Sequence, residues 1–364
     1  MDAHSAQNID LLATTGDALP HERLLVVKGP RSGLTMSLAV HSTTLGPALG
    51  GCRLWHYDNW VEAVNDSLRL AEGMTLKNAA AGLNRGGGKT VIYLPTGTVL
   101  DAEQRRDAML DLGDAIESLG GAYMTAEDVG TSAEDMAVVA SRTAHVCGLP
   151  SADGGVGEPS DATAAGVYAA LLATLDEAFD SREVAGRHFI VLGLGHVGSL
   201  IATRLAAAGA QLTVTDVNPA KREFATTLGA SWVEPDAAHR VQADVFVPAG
   251  VGGVLTDEVI DALRVRAVVG PANNQLARRD GAARLAARGI LWAPDFVVNA
   301  GGVIFLAMMN EEQPSIEVTN ARIEAIGETV AHIFADAKQR GITTLVAAEE
   351  IAAARLGKLI DIVR

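Results

Sequence analysis

The chain has 364 residues, enough for about two domains of roughly 150 residues each, and its 48% apolar content can bury a large core, which excludes a disordered chain. Twenty-nine Lys and Arg against 44 Asp and Glu leave a net charge of −15, so no general nucleic-acid or anionic-membrane binding is expected. Two cysteines, Cys52 and Cys147, are too few for a disulfide framework or a Cys-rich metal site and suit a reducing, cytoplasmic setting, and neither an export pattern nor a run of about 18 apolar residues is present.

Residues 1–20 read as a loose tail, lacking any sustained period. Glu22 to Lys28 and Leu34 to His41 are Val- and Leu-rich runs joined by Gly29-Pro30-Arg31-Ser32-Gly33, the chemistry of a hairpin turn. Val64, Leu68, Ala71 and Met74 share one side of a helix over about 61–80. A buried strand at 91–94, a helix at 102–119, a strand at 122–125 and a helix at 132–141 complete a first α/β unit. The Gly- and Pro-rich break at 154–160 marks a boundary, and a helix over about 162–178 follows it. Strands and helices then alternate regularly to Ala293, which predicts a doubly wound parallel sheet. Helical stretches at about 316–340 and 347–362 close the chain, one of them expected to return to the first domain and leave a cleft between the two.

The 38 glycines fall in clusters. Gly193, Leu194, Gly195, His196, Val197 and Gly198 follow the apolar run Phe189 to Leu192 and open a helix, the arrangement in which backbone N–H groups at a helix N-terminus receive a pyrophosphate. Asp216 ends the next strand 18 residues after Gly198, where a carboxylate accepts from ribose hydroxyls and repels a 2′-phosphate, so NAD is favoured over NADP. Lys221 and Arg222 are the residues that could reverse this preference, although each also reads as a solvated helix charge. A helix-packing glycine run without a nucleotide is the structural alternative.

Two lysines in the first unit carry chemistry in different settings. Lys77 lies on the shoulder of its helix's polar face and by periodicity alone is a solvated lysine. Lys89 follows Gly86-Gly87-Gly88, three residues that favour neither helix nor strand and that leave room for backbone to approach a ligand. A Walker-type phosphate loop is a poor match, because position 83 is Leu and the segment after Thr90 reads as a strand. Asp128, at a strand end beside Val129 and Gly130, is by itself a helix or turn cap.

These segments occur in one order: Gly46-Pro47-Ala48-Leu49-Gly50-Gly51-Cys52-Arg53, Gly73-Met74-Thr75-Leu76-Lys77, Gly86 to Lys89, Ala126 to Gly130, and Pro294-Asp295-Phe296-Val297-Val298-Asn299-Ala300-Gly301-Gly302. Together they resemble the amino-acid dehydrogenase superfamily, in the branch of leucine, valine and phenylalanine dehydrogenases, over His21 to Ile362. The resemblance implies a two-domain α/β protein. Residues 21–150, with a returning helix at about 341–364, would form a substrate, catalytic and oligomerisation domain, and 151–340 an NAD-binding Rossmann domain. It implies reversible oxidative deamination of an L-amino acid to its 2-oxo acid and ammonia, in a homo-oligomer and without a metal. Lys77 would hold the substrate carboxylate, and Lys89, with a lowered pKa expected, would act as general acid and base. Asp128 would exchange protons with the amino group. Asn273 would stand near the substrate main chain and the nicotinamide ribose, and Thr163 would orient the carboxamide.

Pro248-Ala249-Gly250 and Gly270-Pro271-Ala272 depart from the family pattern near the expected cofactor; a backbone contact at Ala249 survives its change, whereas Pro271 removes an N–H donor and could shift the loop carrying Asn273. Gly50 belongs to the expected substrate site. The family's side-chain pocket corresponds to Leu49, Met74, Ala126, Val303 and Leu306, all apolar, so a distal carboxylate would lie unpaired there and glutamate is disfavoured. Branched aliphatic substrates rank first. Aromatic or specialised-pathway substrates are the alternative, a 2-hydroxy-acid dehydrogenase is a weaker rival, and a catalytically inactive NAD-binding regulator is a remoter reading. Spacing by three also makes Val303 and Leu306 simple helix-packing residues.

Overall fold

The computed structural model describes residues 19–150, 152, 155–311 and 313–357. Most of the expected tail and the last part of the expected C-terminal helix lie outside the described residues. Contacts divide the chain into two compact units at Gly157/Glu158.

In the first unit, β1 (Arg23–Lys28), β2 (Thr35–Ser42), β3 (Ala48–Tyr57), β4 (Gly86–Pro95) and β5 (Tyr123–Glu127) form a sheet of order β1-β2-β4-β3-β5. Strands β1, β2 and β4 pair antiparallel, whereas β3 runs parallel to both β4 and β5. The β1–β2 turn closes on a buried carboxylate: Asp111 accepts from Arg31 N (3.1 Å), Ser32 N (2.9 Å) and Ser32 Oγ (2.8 Å). Helices α1 (Trp60–Ala80), α2 (Ala102–Glu117) and α3 (Ala133–Ala140) cover the sheet. Met36, Leu38, Ile92 and Tyr123 pack with Met109, Leu112, Ile116 and Met136 of α2 and α3, while α1 lies against β4 and β2.

Strand β3 is absent from the sequence reading, although it is the strand that joins β4 to β5. Gly50 and Gly51 interrupt its apolar alternation and so hide its period. Strand β4 also begins earlier than expected, because Gly86, Gly87 and Gly88 are interior strand residues rather than an open loop. A Cβ on Gly87 would stand 2.1 Å from Thr75 N of α1, one on Gly86 1.8 Å from Ser42 O, and one on Gly88 2.6 Å from the Tyr123 ring. The triplet's room is filled by the protein's own atoms.

The second unit holds β6 (His188–Leu192), β7 (Gln211–Thr215), β8 (Ser231–Trp232), β9 (Val245–Pro248), β10 (Ala267–Val268) and β11 (Leu291–Trp292), all parallel, in the order β11-β10-β9-β6-β7-β8. That is the doubly wound Rossmann order, whose direction reverses between β6 and β9. Helices α4 (Ser160–Phe179), α5 (His196–Ala207), α6 (Lys221–Thr227), α7 (Asp257–Ala262), α8 (Gly281–Ala287), α9 (Asp295–Val298) and α10 (Gly301–Met309) accompany the sheet. Ile190, Phe246 and Val268 pack with Ile260, Leu285 and Trp292 in one of its cores.

The long helix expected over 316–340 is two, α11 (Ile316–Glu324) and α12 (Ile326–Arg340), meeting at Ala325. The final described helix, α13 (Thr344–Leu356), belongs to the second unit rather than returning to the first. Thr344 Oγ1 donates to Trp292 O at 2.8 Å, and Glu349, buried on α13, pairs with Arg279. Among the described residues no helix is long and apolar enough to cross a membrane.

Candidate active site

Period-two alternation puts Gly87 and Lys89 of β4, Leu49, Gly51 and Arg53 of β3, and Ala126 of β5 on one side of the sheet, the side on which Gly87 meets α1. Leu49 is paired in register with Gly87 and Met124, and Gly51 with Ala126. Leu49 and Ala126 are buried, and Met74 reaches the same strands from α1: a Cβ on Gly50 would stand 3.2 Å from Met74 Cγ. Lys77, half-buried in the last turn of α1, follows Met74 by three residues and so shares its side of the helix.

Asp128 follows β5 directly. Its Oδ2 lies 2.9 Å from Lys89 Nζ and 3.1 Å from Arg53 Nε, with the Lys89 side chain 6% exposed and that of Asp128 20%. Oδ1 makes no hydrogen bond within the described protein. The helix-cap alternative for Asp128 does not hold, because Ser132 caps α3 and the Asp128 carboxylate spends its contacts on two cations. The Asp128 backbone N–H donates to Thr131 Oγ1 at 3.0 Å, and Thr131 Oγ1 donates to Cys52 O at 2.8 Å, which fixes the turn on β3. Burial raises the Asp128 pKa, but Lys89 and Arg53 outweigh it and hold the carboxyl down at about 2. A carboxylate with one free oxygen beside a buried ammonium can take and return a proton. Arg53 itself continues to Asp66 Oδ2 at 2.9 Å, and Asp66 also accepts from Tyr57 Oη at 2.7 Å and Arg69 Nη2 at 2.6 Å. This network escaped the sequence reading, although Arg53 stood inside a quoted motif; positions 53, 66 and 128 acquire a common meaning only when β3, α1 and β5 meet.

In the second unit the glycine turn joins β6 to α5. Gly193 has φ +107°, and a Cβ there would stand 2.7 Å from Gly250 N and 2.8 Å from Ala249 O. One on Gly198 would stand 2.2 Å from Gly193 O and 3.1 Å from Ala249 Cβ, so Ala249 lies against the turn. Gly195 is the N-cap of α5, has no side chain to offer, and faces open space; His196, largely exposed, begins the helix, and Val197 follows it. An uncapped helix start with open space before it fits a phosphate group. Asp216 stands one residue after β7, where Oδ2 accepts from Leu194 N at 2.6 Å and Oδ1 from Asn218 N at 2.8 Å. Its carboxylate therefore braces the glycine turn, a task the sequence did not suggest.

Asn273 lies in the loop after β10. Asn299, buried at the end of α9, donates through Nδ2 to Asn273 Oδ1 at 2.9 Å and to Pro271 O at 3.1 Å. The loop is thus tied down at Pro271 itself, and Ala272 N donates to Pro248 O at 3.0 Å. Thr163 on α4 donates to Pro159 O at 3.1 Å, and a Cβ on Gly302 would stand 2.5 Å from Thr163 Oγ1. Gly301 and Gly302 thereby admit α4 against the start of α10, whose Leu306 is buried and Val303 half-buried.

Residues 21–145 match the profile of the Glu/Leu/Phe/Val dehydrogenase dimerisation domain, and residues 213–360 that of the glutamate/leucine/phenylalanine/valine dehydrogenases. The chain belongs to this family. The dehydrogenase is 41% identical to leucine dehydrogenase of Thermoactinomyces intermedius over 92% of its own length and 91% of the relative's. It is also 41% identical to valine dehydrogenase of Streptomyces albus, over 93% of each chain. The crystal structure of L-tryptophan dehydrogenase from Nostoc punctiforme superposes with a TM-score of 0.78 at 32% identity, covering 93% of the dehydrogenase and 96% of that chain. Residues 160–264 further match the NAD-binding domain of D-isomer-specific 2-hydroxyacid dehydrogenases, so the second unit is a nicotinamide-nucleotide-binding domain. The dehydrogenase is an amino-acid dehydrogenase, an oxidoreductase with an N-terminal dimerisation domain.

Proposed function

We propose that the dehydrogenase catalyses the NAD-dependent, reversible oxidative deamination of an apolar L-amino acid, with leucine, valine and isoleucine favoured, to the 2-oxo acid and ammonia. The observation that carries this reading is the 2.9 Å contact between Lys89 and Asp128 on the same side of the sheet as buried, apolar Leu49 and Ala126. Lys77 holds the substrate α-carboxylate, with Gly50 beside it and Asn273 at the main chain. Leu49, Met74, Ala126, Val303 and Leu306 receive the side chain. Asp128 takes a proton from the substrate ammonium. Loss of hydride from the α-carbon, for which a bound nicotinamide would be the acceptor, leaves an iminium on the substrate. Lys89, having released a proton to solvent, takes one from the water that adds to this C=N bond; Asp128 then protonates the nitrogen, and ammonia leaves with the C–N electron pair as the carbinolamine hydroxyl gives up its proton to water.

NAD, rather than NADP, is supported by Asp216 beside the turn and by Arg222, which is engaged with Glu234 and stacks over Trp232 at 5.1 Å. Gly193, Leu194, Gly195, His196, Val197 and Gly198 would hold the pyrophosphate, and Ala249, Thr163 and Asn273 would serve the nicotinamide half. A homo-oligomer is supported by the dimerisation-domain match, and a cytoplasmic setting by two buried free thiols. An aromatic substrate is the second reading, supported by the likeness to L-tryptophan dehydrogenase.

NADH formation with a panel of L-amino acids, and its consumption with 2-oxo acids plus ammonium, tests the reading. Branched aliphatic substrates are expected to turn over fastest, with a loss of at least about 100-fold in Lys89→Ala. A ranking led by phenylalanine or tryptophan selects the second reading, and no turnover with any apolar substrate rejects both.

A further inference from the structure

The mechanism proposed above uses Lys89 and Asp128 but assigns nothing to Arg53, whose side chain is only 20% exposed and whose guanidinium spans two carboxylates. It meets Asp128 through Nε at 3.1 Å and Asp66 through Nη1 at 2.9 Å. Asp66 is held in turn by Tyr57 and Arg69. The guanidinium is a planar fork, so anchoring one edge on Asp66 determines where the other presents its N–H. Both cations on Asp128 use the same oxygen, Oδ2, and Oδ1 makes no hydrogen bond within the described protein.

We infer that Arg53, anchored by Asp66, is a positioning residue: it shares Oδ2 of Asp128 with Lys89 and so assigns the proton exchange with the substrate nitrogen to Oδ1. This inference rests on the role proposed for Asp128. In the step concerned, an N–H bond of the substrate ammonium breaks, nitrogen keeps the electron pair, and the O–H bond forms at Oδ1. With Oδ2 occupied by two donors, the carboxylate cannot rotate to offer the other oxygen without losing both.

The groups that bear on Asp128 electrostatically are Lys89 from β4, Arg53 and the buried Cys52 thiol from β3, and, through Arg53, the Asp66, Tyr57 and Arg69 cluster. Removing the Arg53 charge therefore leaves Lys89 as the one cation in contact with Asp128 among the described residues. The low Asp128 pKa agrees with two cations acting together.

The test compares wild type, Arg53→Gln, Arg53→Lys and Asp66→Asn by pH profiles of kcat and KM, with thermal melting to check folding. Arg53→Gln is expected to move the acid limb of kcat up by about one pH unit and to lower kcat at least tenfold, with KM for the amino acid changed less than about twofold. Arg53→Lys should restore the limb but not kcat, because a point charge lacks the fork. Asp66→Asn should lower kcat with KM unchanged. An Arg53→Gln profile superimposable on wild type, or an Arg53→Lys limb displaced as far as that of Arg53→Gln, overturns the inference. Carbon NMR of carboxyl-labelled aspartate, with Asp128 assigned through Asp128→Asn, reads the same displacement without turnover. A protein that fails on every amino acid would therefore refute the proposed function while this measurement still decides the part played by Arg53.

Discussion

A Cβ on Gly51 would stand 2.8 Å from Cβ of Asp128 and 2.6 Å from the backbone oxygen of Glu127. Gly51 sits on β3 between the strand that carries Lys89 and the strand that leads to Asp128, so its missing side chain is the space that the Lys89–Asp128 contact crosses. Gly51→Ala should push Asp128 away from Lys89. The expected result is a fall in kcat of about 100-fold, in line with displacement of a catalytic group by an ångström, and a stability loss of about 1–3 kcal/mol from overpacking. Steady-state kinetics and chemical denaturation check it, and unchanged kcat would show that the contact is dispensable.

Gly87→Ala separates packing from chemistry. Its Cβ would meet Thr75 N of α1 at 2.1 Å, a backbone atom that cannot rotate away. A loss of about 1–3 kcal/mol is expected as α1 is lifted from β4, read as a lowered denaturation midpoint. A midpoint equal to wild type would mean that the glycine triplet is not needed for close packing.

Acid stability should carry the signature of Asp128. Its carboxyl titrates at about 2 in the folded protein, below the ordinary value near 3.9 of an unfolded chain. The corresponding stability, roughly 2 kcal/mol, is fully present above the unfolded value and is lost as pH falls through about 2. Asp128→Asn also leaves Lys89 and Arg53 without their shared anion. Unfolding free energies measured between pH 6 and pH 2 should show a shallower decline for the variant, and parallel curves would contradict the assignment.

Asp216→Ser should act on the cofactor in two ways. It removes the acceptors of Leu194 N and Asn218 N and the charge that opposes a 2′-phosphate. KM for NAD is expected to rise about 10- to 100-fold, with NADP relatively better used. Initial rates with the two dinucleotides decide it, and an unaltered preference would remove Asp216 from the cofactor site.

Asn299→Ala should disturb Asn273 while leaving residue 273 itself unchanged. Pro271 O and Asn273 Oδ1 would lose a shared donor, at a cost of about 1–3 kcal/mol in stability, and kcat should fall as the Asn273 loop loosens. Equal melting and kinetics would place the Asn299 amide outside the positioning of that loop.

The hydrophobic periods of the amino-acid sequence determined the helices α1, α2 and α4 and the strand–helix alternation of the second unit, because those elements bury one continuous side. Its motifs determined the family, through Gly193 to Gly198 and the ordered segments around Lys77, Lys89 and Asp128. Tertiary structure decided the rest. Strand β3 was invisible because Gly50 and Gly51, needed for close approach to β4 and β5, erase the pattern that reveals a strand. The glycine triplet before Lys89 read as open loop, since only the presence of Ser42, Thr75 and Tyr123 shows the space to be filled. The alternating chain Lys89, Asp128, Arg53, Asp66 joins residues from two strands, the turn after a third, and a helix. No local spacing encodes such a chain; its charges attract because the fold carries them out of water and within about 3 Å of one another.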